Sequence, residues 1–302
     1  MSISVNNLNE LHTLRDFVRW GASRFNEANL FFGHGTDNAI DEAVALILHA
    51  LHLNQNLPDS LWACHLTFDE KQQISQLFQR RINERIPAPY LTNEAWFAGL
   101  SFYVDSNVLI PRSPIAELIE QRFDPWLEID HIQTILEIGT GSGCIAIATA
   151  FVLTDAHIDA VDISPQAIKV AQKNIETYDV QNHVTLFEGD LFEPVKNKKY
   201  DLIICNPPYV DAFEMENLPP EFQHEPRLAL EAGDDGLDIV RKILQQAHNH
   251  LNDKGLLIVE VGASQPTLLE TYPDVDFIFP DFKRGGDGVF LLTKQQLETY
   301  SF

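Results

Sequence analysis

The tetrapeptide Asn-Pro-Pro-Tyr at positions 206–209 follows a short apolar run at positions 200–205. A run that is rich in β-branched residues and is stopped by two prolines indicates a buried parallel strand that ends in a rigid loop. In an open α/β sheet, ligands bind just beyond the carboxyl ends of the strands. We therefore expect Asn206 to face a ligand.

This tetrapeptide suits the attack of a planar NH2 group on an electrophile. An amide or aryl amine donates its lone pair into the attached π system, so its nitrogen is a poor nucleophile. The Asn206 side-chain oxygen and the Pro207 carbonyl could accept both N–H hydrogens and aim the nitrogen. Proline locks φ and stiffens that carbonyl, and the Tyr209 ring could stack on the planar group. Taken alone, the four residues are equally consistent with a loop that merely ends a strand.

A glycine-rich turn, Glu-Ile-Gly-Thr-Gly-Ser-Gly at positions 137–143, leaves one predicted strand and enters a helix. Glycines permit a tight turn and let a ligand lie against bare backbone near the helix N-terminus. The spacing differs from the dinucleotide fingerprint, because Cys144 occupies the place of the last glycine in G-x-G-x-x-G. This difference disfavours a nicotinamide cofactor.

Two aspartates follow the next two predicted strands. Asp162 could accept both ribose hydroxyls of a nucleoside, Asp190 could accept from an adenine amino group, and Leu191 could cover a ring face. Each aspartate alone could equally be a strand-end or helix-cap residue. Four successive strand ends thus carry a glycine loop, two acids and an NH2-positioning loop. One nucleoside with an electrophilic methyl group, S-adenosylmethionine, explains all four.

The order of predicted elements indicates two domains joined by a hairpin. Helical periodicity runs from about Leu8 to Ile86, with Thr67 and Glu70 predicted to form a capping box. Residues 96–104 and 108–110 predict two strands about the turn 105–107. From Thr134 onward, strands and helices alternate, which predicts an α/β fold with a doubly wound, mostly parallel sheet. The predicted boundaries are 1–92, 93–112 and 113–302.

The composition of the 302-residue chain is that of an ordinary globular protein, with 45% hydrophobic and 22% charged residues. No stretch approaches the roughly 20 apolar residues that span a bilayer, and residues 1–7 lack the features of a signal peptide. We therefore expect a cytoplasmic protein that does not bind membranes. The three cysteines are isolated, so we expect neither disulfides nor a metal site.

The chain is strongly acidic, with 21 Lys and Arg against 44 Asp and Glu and a formal net charge of −23. Nucleic-acid affinity depends on basic side chains that release counterions from phosphates, so stable DNA binding is not expected. The charge favours a basic protein partner, although solubility alone would also explain it. The helical domain and residues 213–227, with Glu214, Glu216 and Glu221, are the candidate surfaces for that partner.

The tetrapeptide Asn206-Pro207-Pro208-Tyr209, the glycine loop and the upstream Ile110-Pro111-Arg112 together resemble the protein-(glutamine) methyltransferases. These enzymes methylate the side-chain amide nitrogen of glutamine with S-adenosylmethionine. The resemblance covers nearly the whole chain. It implies the seven-stranded sheet of S-adenosylmethionine-dependent methyltransferases, a linking β-hairpin and a small helical N-terminal domain for substrate recognition.

Two branches of this family are known, one acting on peptide-chain release factors and the other on the third protein of the large ribosomal subunit. The release-factor branch usually continues Ile-Pro-Arg with Pro-Asp-Thr-Glu, whereas Ser-Pro-Ile-Ala-Glu-Leu follows here at positions 113–118. That segment, with residues 33–38 and 285–290, is similar to the ribosomal-protein branch. The resemblance therefore implies a basic ribosomal protein as substrate, with release factors as the alternative.

The resemblance also assigns roles to individual residues. It places the substrate amide at Asn206, Pro207, Pro208 and Tyr209, the cofactor loop at Gly139, Thr140, Gly141 and Gly143, the ribose at Asp162, and the adenine at Asp190 and Leu191, with Asn206 next to the cofactor.

Two other functions are compatible with parts of the pattern. A DNA or RNA amino-methyltransferase would present the same planar NH2 group, but the acidic charge argues against it. A non-catalytic ribosome-assembly factor could bind the nucleoside as a sensor, but the intact Asn206–Tyr209 tetrapeptide argues against that. The sequence does not indicate an oligomeric state or the modified glutamine.

Overall fold

The computed structural model describes residues 9–54, 56–300 and 302, so Leu8, where the helical periodicity begins, lies outside the described residues. The chain forms two compact units. The smaller unit contains the chain up to Glu94 together with Pro219–His224, and the larger contains Ala95–Leu218 and Glu225–Phe302.

The smaller unit is helical. Its core packs aromatic and aliphatic side chains such as Phe25, Leu46 and Phe78, all fully buried. A Cβ on Gly21 would lie 2.4 Å from Cε2 of Phe78, so only glycine permits this packing. The predicted capping box of Thr67 and Glu70 is confirmed. The helices are α1 Leu14–Glu27, α2 Ala39–Ala50, α3 Phe68–Asn83 and α4 Ala88–Thr92.

The segment Pro219–His224 belongs to this helical unit although it is remote in sequence. The Arg81 guanidinium is completely buried and pairs with Glu42 at 2.6 Å and with Glu221 at 3.1 Å. Glu221 also accepts a hydrogen bond from the Phe31 backbone at 3.1 Å. The prediction that Glu221 offers its charge to a partner is therefore wrong, because its carboxylate neutralises a buried cation.

A short hairpin follows, and its position differs from the prediction. The strands are β1 Glu94–Phe97 and β2 Leu100–Tyr103. The turn lies at Ala98 and Gly99, with φ of 47° and 77°, and not at residues 105–107. Two central residues with positive φ match the twist of a two-residue hairpin. Residues 108–110 form no strand.

The larger unit contains a six-stranded sheet. Its strands are β3 Thr134–Ile138, β4 His157–Asp162, β5 Val184–Glu188, β6 Tyr200–Cys205, β7 Leu251–Glu260 and β8 Val289–Thr293. Their spatial order is β5-β4-β3-β6-β7-β8, parallel throughout except for the antiparallel pair β7 and β8. The predicted α/β class and mostly parallel sheet are confirmed.

The expected seventh strand is not formed among the described residues. At residues 277–279, only Ile278 pairs, through an isolated bridge to Leu291. Pro280 follows directly and has no N–H to donate, so the ladder does not extend. Within the part of the chain that the structure describes, the sheet therefore has six strands rather than the expected seven.

Helices cover both faces of this sheet. Alternate strand residues point to opposite faces: Ile135 and Ile204 pack with Ile147 on one side, while Leu136 and Ile203 pack with Val240 on the other. Cys144 and Cys205 are buried free thiols. The helices are α5 Ile115–Glu120, α6 Cys144–Val152, α7 Pro165–Thr177, α8 Ala212–Asn217, α9 Asp238–His250, α10 Gln265–Thr271 and α11 Lys294–Tyr300. No helix in the described part of the chain is long and apolar enough to cross a membrane.

Candidate active site

A cavity of about 220 Å³ lies in the larger unit, beyond the carboxyl ends of β3, β4 and β6. The strands β3, β4 and β5 are added in one direction across the sheet, and β6 then lies on the other side of β3. The direction in which strands are added therefore reverses between β3 and β6. Such a switch point is where open α/β sheets bind ligands. The sequence-predicted residues that line the cavity are Gly139, Thr140, Gly141, Asp162, Asp190, Leu191, Asn206, Pro207 and Pro208.

The glycine loop between β3 and α6 takes a left-handed backbone, with φ of 74° at Gly139, 54° at Gly141 and 81° at Gly143. A Cβ on Gly141 would meet no atom within 4 Å, so this part of the loop faces open space. A Cβ on Gly143 would lie 3.3 Å from Cβ of Ala171, so this glycine serves helix packing and does not line the cavity. The buried Asn174 side chain donates to the Ser142 carbonyl at 2.8 Å and holds the loop from behind.

Asp162, at the end of β4, is tied to the glycine loop. Its Oδ2 accepts from the Gly141 backbone N–H at 2.8 Å, and its Oδ1 accepts from the Ser164 N–H at 2.8 Å. Burial raises the pKa of Asp162, and these two N–H groups act in the opposite direction. Each carboxylate oxygen has a second lone pair, so the group can still accept from two hydroxyls.

Asp190 and Leu191 follow β5 and also line the cavity. Leu191 has φ of 47°, which is sterically costly for a residue with a branched side chain. Gly189 precedes them because a Cβ there would lie 2.3 Å from Cγ of Pro194. The tight turn directs this pair to the carboxyl edge of the sheet.

Glu137 is a cavity residue that the sequence reasoning assigned no role. It lies within β3, and its Oε2 accepts from the Thr140 hydroxyl at 2.6 Å and from the Ala146 N–H at 3.0 Å. Burial raises the pKa of Glu137 to about 8. The available signal was a single acidic residue inside the apolar strand Ile135-Leu136-Glu137-Ile138.

The Asn206 loop begins where β6 ends. Asn206 is half-buried, and its side-chain amide has no hydrogen-bond partner within the described residues. The Val210 N–H donates to the Leu230 carbonyl at 2.8 Å, and the Ala232 N–H donates to the Val210 carbonyl at 2.9 Å. The loop is therefore held by β6 where it begins and by these two hydrogen bonds at Val210, while its amide stays available to a ligand.

Tyr209 does not line the cavity, which differs from the predicted stacking on the substrate. Its hydroxyl donates to Oε1 of Glu260 at 3.0 Å. On another wall, Arg112 forms a two-pronged ion pair with Glu225, at 2.7 Å for each contact. Arg112 thus lines the cavity with its charge already compensated.

Comparison with known proteins assigns a family to this geometry. The family model described as "Methyltransferase small domain" matches residues 121–233, which include the glycine loop, both aspartates and the Asn206 loop. A "Ribosomal protein uL3 glutamine methyltransferase" of Xanthomonas campestris pv. campestris is 50% identical over 292 residues, covering 97% of this chain and 94% of the relative. A protein of the same name from Francisella tularensis subsp. tularensis is 45% identical over 294 residues, with 97% and 94% coverage.

The chain belongs to the ribosomal protein uL3 glutamine methyltransferase family.

Membership of the uL3 glutamine methyltransferase family confirms the resemblance drawn from the motifs, including the ribosomal-protein branch. The roles of individual residues remain predictions. The fold brings nine of the eleven predicted site residues to one cavity of this family member and places Gly143 and Tyr209 behind its walls.

Proposed function

We propose that this protein transfers the methyl group of S-adenosylmethionine to the side-chain amide nitrogen of a glutamine in ribosomal protein uL3. The observation that carries the proposal is the unpaired Asn206 amide beside Pro207, at the same cavity as the glycine loop. A Cβ on Gly139 would lie 3.8 Å from the Asn206 carbonyl oxygen, so the loop and the amide site adjoin. The substrate is inferred from the two relatives, which are named as glutamine methyltransferases of ribosomal protein uL3.

The residues around the cavity fit S-adenosylmethionine. The open backbone at Gly141 leaves room that a side chain would fill, and Asp162 has acceptor capacity for ribose hydroxyls. Asp190 and Leu191 would meet the adenine. Bound there, the cofactor supplies an electrophilic methyl group on a positively charged sulfur.

Asn206 and Pro207 then act on the glutamine. The Asn206 Oδ1 and the Pro207 carbonyl accept the two N–H hydrogens of the substrate amide and hold its nitrogen in one orientation. No strong base would be required, since the nitrogen could bond to the methyl carbon while still carrying both hydrogens. The bond from that carbon to sulfur would break at the same time, leaving its electron pair on a sulfur that becomes neutral. The methylated nitrogen is acidic and releases its proton to water. Orientation of this kind can lower the activation barrier by on the order of 7 to 11 kcal/mol.

The test is labelled-methyl transfer from S-adenosylmethionine to unmethylated uL3 and an unmethylated release factor in parallel, with mass spectrometry to locate the methyl group. We expect label on a glutamine of uL3 alone. Label on the release factor would overturn the assignment of uL3 as the substrate but retain the assignment of glutamine methylation. Label on neither protein, with label on ribosomal RNA, would replace the proposal by nucleic-acid amino methylation.

A further inference from the structure

Tyr209 is held by several groups that lie outside the cavity. Its ring covers Gly262, where a Cβ would lie 2.5 Å from the ring carbon Cε2. Its carbonyl accepts from the Ser264 hydroxyl at 2.7 Å. A Cβ on Gly236 would lie 2.5 Å from the same carbonyl, so this surrounding also requires glycine. Tyr209 is thus locked against the larger unit at both its backbone and its ring.

The Tyr209 hydroxyl is held by Glu260, the last residue of β7. Its carboxylate is buried, with 4% of the residue exposed. Oε1 accepts from the Tyr209 hydroxyl at 3.0 Å, and Oε2 accepts from the Ser113 hydroxyl at 2.5 Å. Ser113 lines the cavity, and Tyr209 directly follows the Asn206–Pro208 wall. One buried carboxylate therefore joins two walls of the site that are far apart in sequence.

We propose that Glu260 is a positioning residue, which holds Tyr209 through its hydroxyl and thereby fixes the Asn206 and Pro207 acceptors in their working orientation. The proposal rests on the proposed glutamine methylation. A buried carboxylate is costly, and a strand that only needed to end here would favour an apolar residue. Glu260 does not itself line the cavity, so its effect passes through Tyr209 and Ser113.

The charge state of Glu260 matters for this role. The groups that face it are the Tyr209 phenol, the Ser113 hydroxyl, the Arg112 guanidinium and the Cys205 thiol. Burial raises the pKa of Glu260 to about 7, against the opposing effects of Ser113, Tyr209 and Arg112. An ionised carboxylate accepts both hydrogen bonds, whereas protonation makes one oxygen a donor. Turnover should therefore rise as the pH increases through about 7 and lose that dependence in Glu260→Gln.

The experiment compares Glu260→Gln, Tyr209→Phe and the double variant with wild type at pH 8. We expect each single variant to lower kcat about tenfold, with KM for the protein substrate and Kd for S-adenosylmethionine within about threefold. Because both changes act on the same hydrogen bond, between the Tyr209 hydroxyl and the side chain at position 260, the double variant should be no more than about twofold slower than the slower single variant. The proposal would be overturned if the loss of kcat in the double variant equalled the product of the two single losses, or if Glu260→Gln kept wild-type kcat.

The matched control is Glu117→Gln. Glu117 is also buried in the larger unit and accepts from the Lys283 and Arg284 backbone N–H groups at 3.1 and 3.2 Å. We expect it to change thermal stability and leave kcat within about twofold. An equal loss of kcat in Glu117→Gln would show a general effect of removing a buried carboxylate, and would also overturn the proposal. If Glu260→Gln does not fold, Tyr209→Phe alone decides, since wild-type kcat in that variant contradicts the proposal.

A readout independent of activity separates this proposal from the proposed function. In protein with ring-labelled tyrosine, the ¹³Cζ resonance of Tyr209 reports the hydrogen bond of its hydroxyl. We expect that resonance to move in Glu260→Gln and to stay in Glu117→Gln. An unmoved resonance would overturn the positioning role even if uL3 is methylated, and failure of wild type to methylate uL3 would overturn the function without affecting this result.

Discussion

The polar side chains that line the cavity differ in whether the protein itself supplies their hydrogen-bond partners. Asp162, Glu137 and Arg112 all have hydrogen-bond partners within the chain before any ligand arrives. The Asn206 amide has none within the described residues. An unsatisfied planar amide between a strand end and two prolines is the feature that another planar amide would match.

We expect Asn206→Ala to lower kcat about 100-fold or more, because the substrate nitrogen loses one of its two acceptors. Binding of S-adenosylmethionine, measured by calorimetry, should stay within about threefold, since the glycine loop and Asp162 are unchanged. Asn182→Ala, at an exposed position of the same unit, is the control and should behave as wild type. Wild-type turnover in Asn206→Ala would remove this residue from the mechanism.

Glu137 gives a prediction for the pH dependence of stability. Its pKa is raised to about 8 in the folded protein, so the folded state binds a proton more tightly than the unfolded state. The associated stability is fully present below the unfolded pKa, near 4.5, and is lost as the pH rises to about 8. In wild type, the free energy of unfolding should therefore fall by on the order of a few kcal/mol between pH 5 and pH 9. We expect Glu137→Gln to remove this fall, as measured by urea unfolding across that pH range. An unchanged slope would contradict the shifted pKa.

Elements as well as residues shape the site, and α7 does so through one side chain. Asn174 accepts from the Tyr103 N–H at 2.8 Å and donates to the Tyr103 and Ser142 carbonyls at 3.0 and 2.8 Å. One buried amide therefore connects the helix, the end of β2 and the glycine loop.

Asn174→Ala would leave these three backbone groups without their partner. We expect a loss of unfolding free energy of about 2 to 4 kcal/mol and about tenfold weaker binding of S-adenosylmethionine, since the loop is no longer held. Gln172→Ala on the exposed face of the same helix is the matched control. Stability loss without weaker cofactor binding would show that Asn174 supports the fold and not the loop.

The sequence predicted elements well where local chemistry decides their limits. Residues 200–205 form the predicted strand with unchanged bounds, because two prolines prevent it from continuing. The hairpin was predicted in the wrong place because its turn depends on Ala98 adopting a left-handed conformation, which alanine gives no reason to expect. The strand predicted near Ile278 did not form, because Pro280 has no N–H and the ladder stops after the single bridge between Ile278 and Leu291.

At the scale of the whole molecule, prediction was limited by contacts between distant residues. Arg81 and Glu221 are 140 positions apart, and no local pattern indicates that they meet. Their pairing places Pro219–His224 in the helical unit. The same limit applies to Glu260 and Ser113, separated by 147 positions. Motif spacing located the nine cavity residues because strand ends gather at one edge of a parallel sheet, which is a rule of topology.

The net charge of −23 gives a last prediction, because a basic protein substrate is attracted by the whole acidic surface. We expect kcat/KM for uL3 to fall about tenfold as salt rises from about 50 to about 500 mM, with Kd for S-adenosylmethionine within about threefold. Glu214→Lys/Glu216→Lys should weaken this salt dependence, since these residues lie on α8, which follows the Asn206 loop. Glu176→Lys/Glu270→Lys makes the same change in net charge on α7 and α10 and is the matched control. Equal effects of the two double variants would mean that net charge alone, and not the α8 surface, attracts the partner.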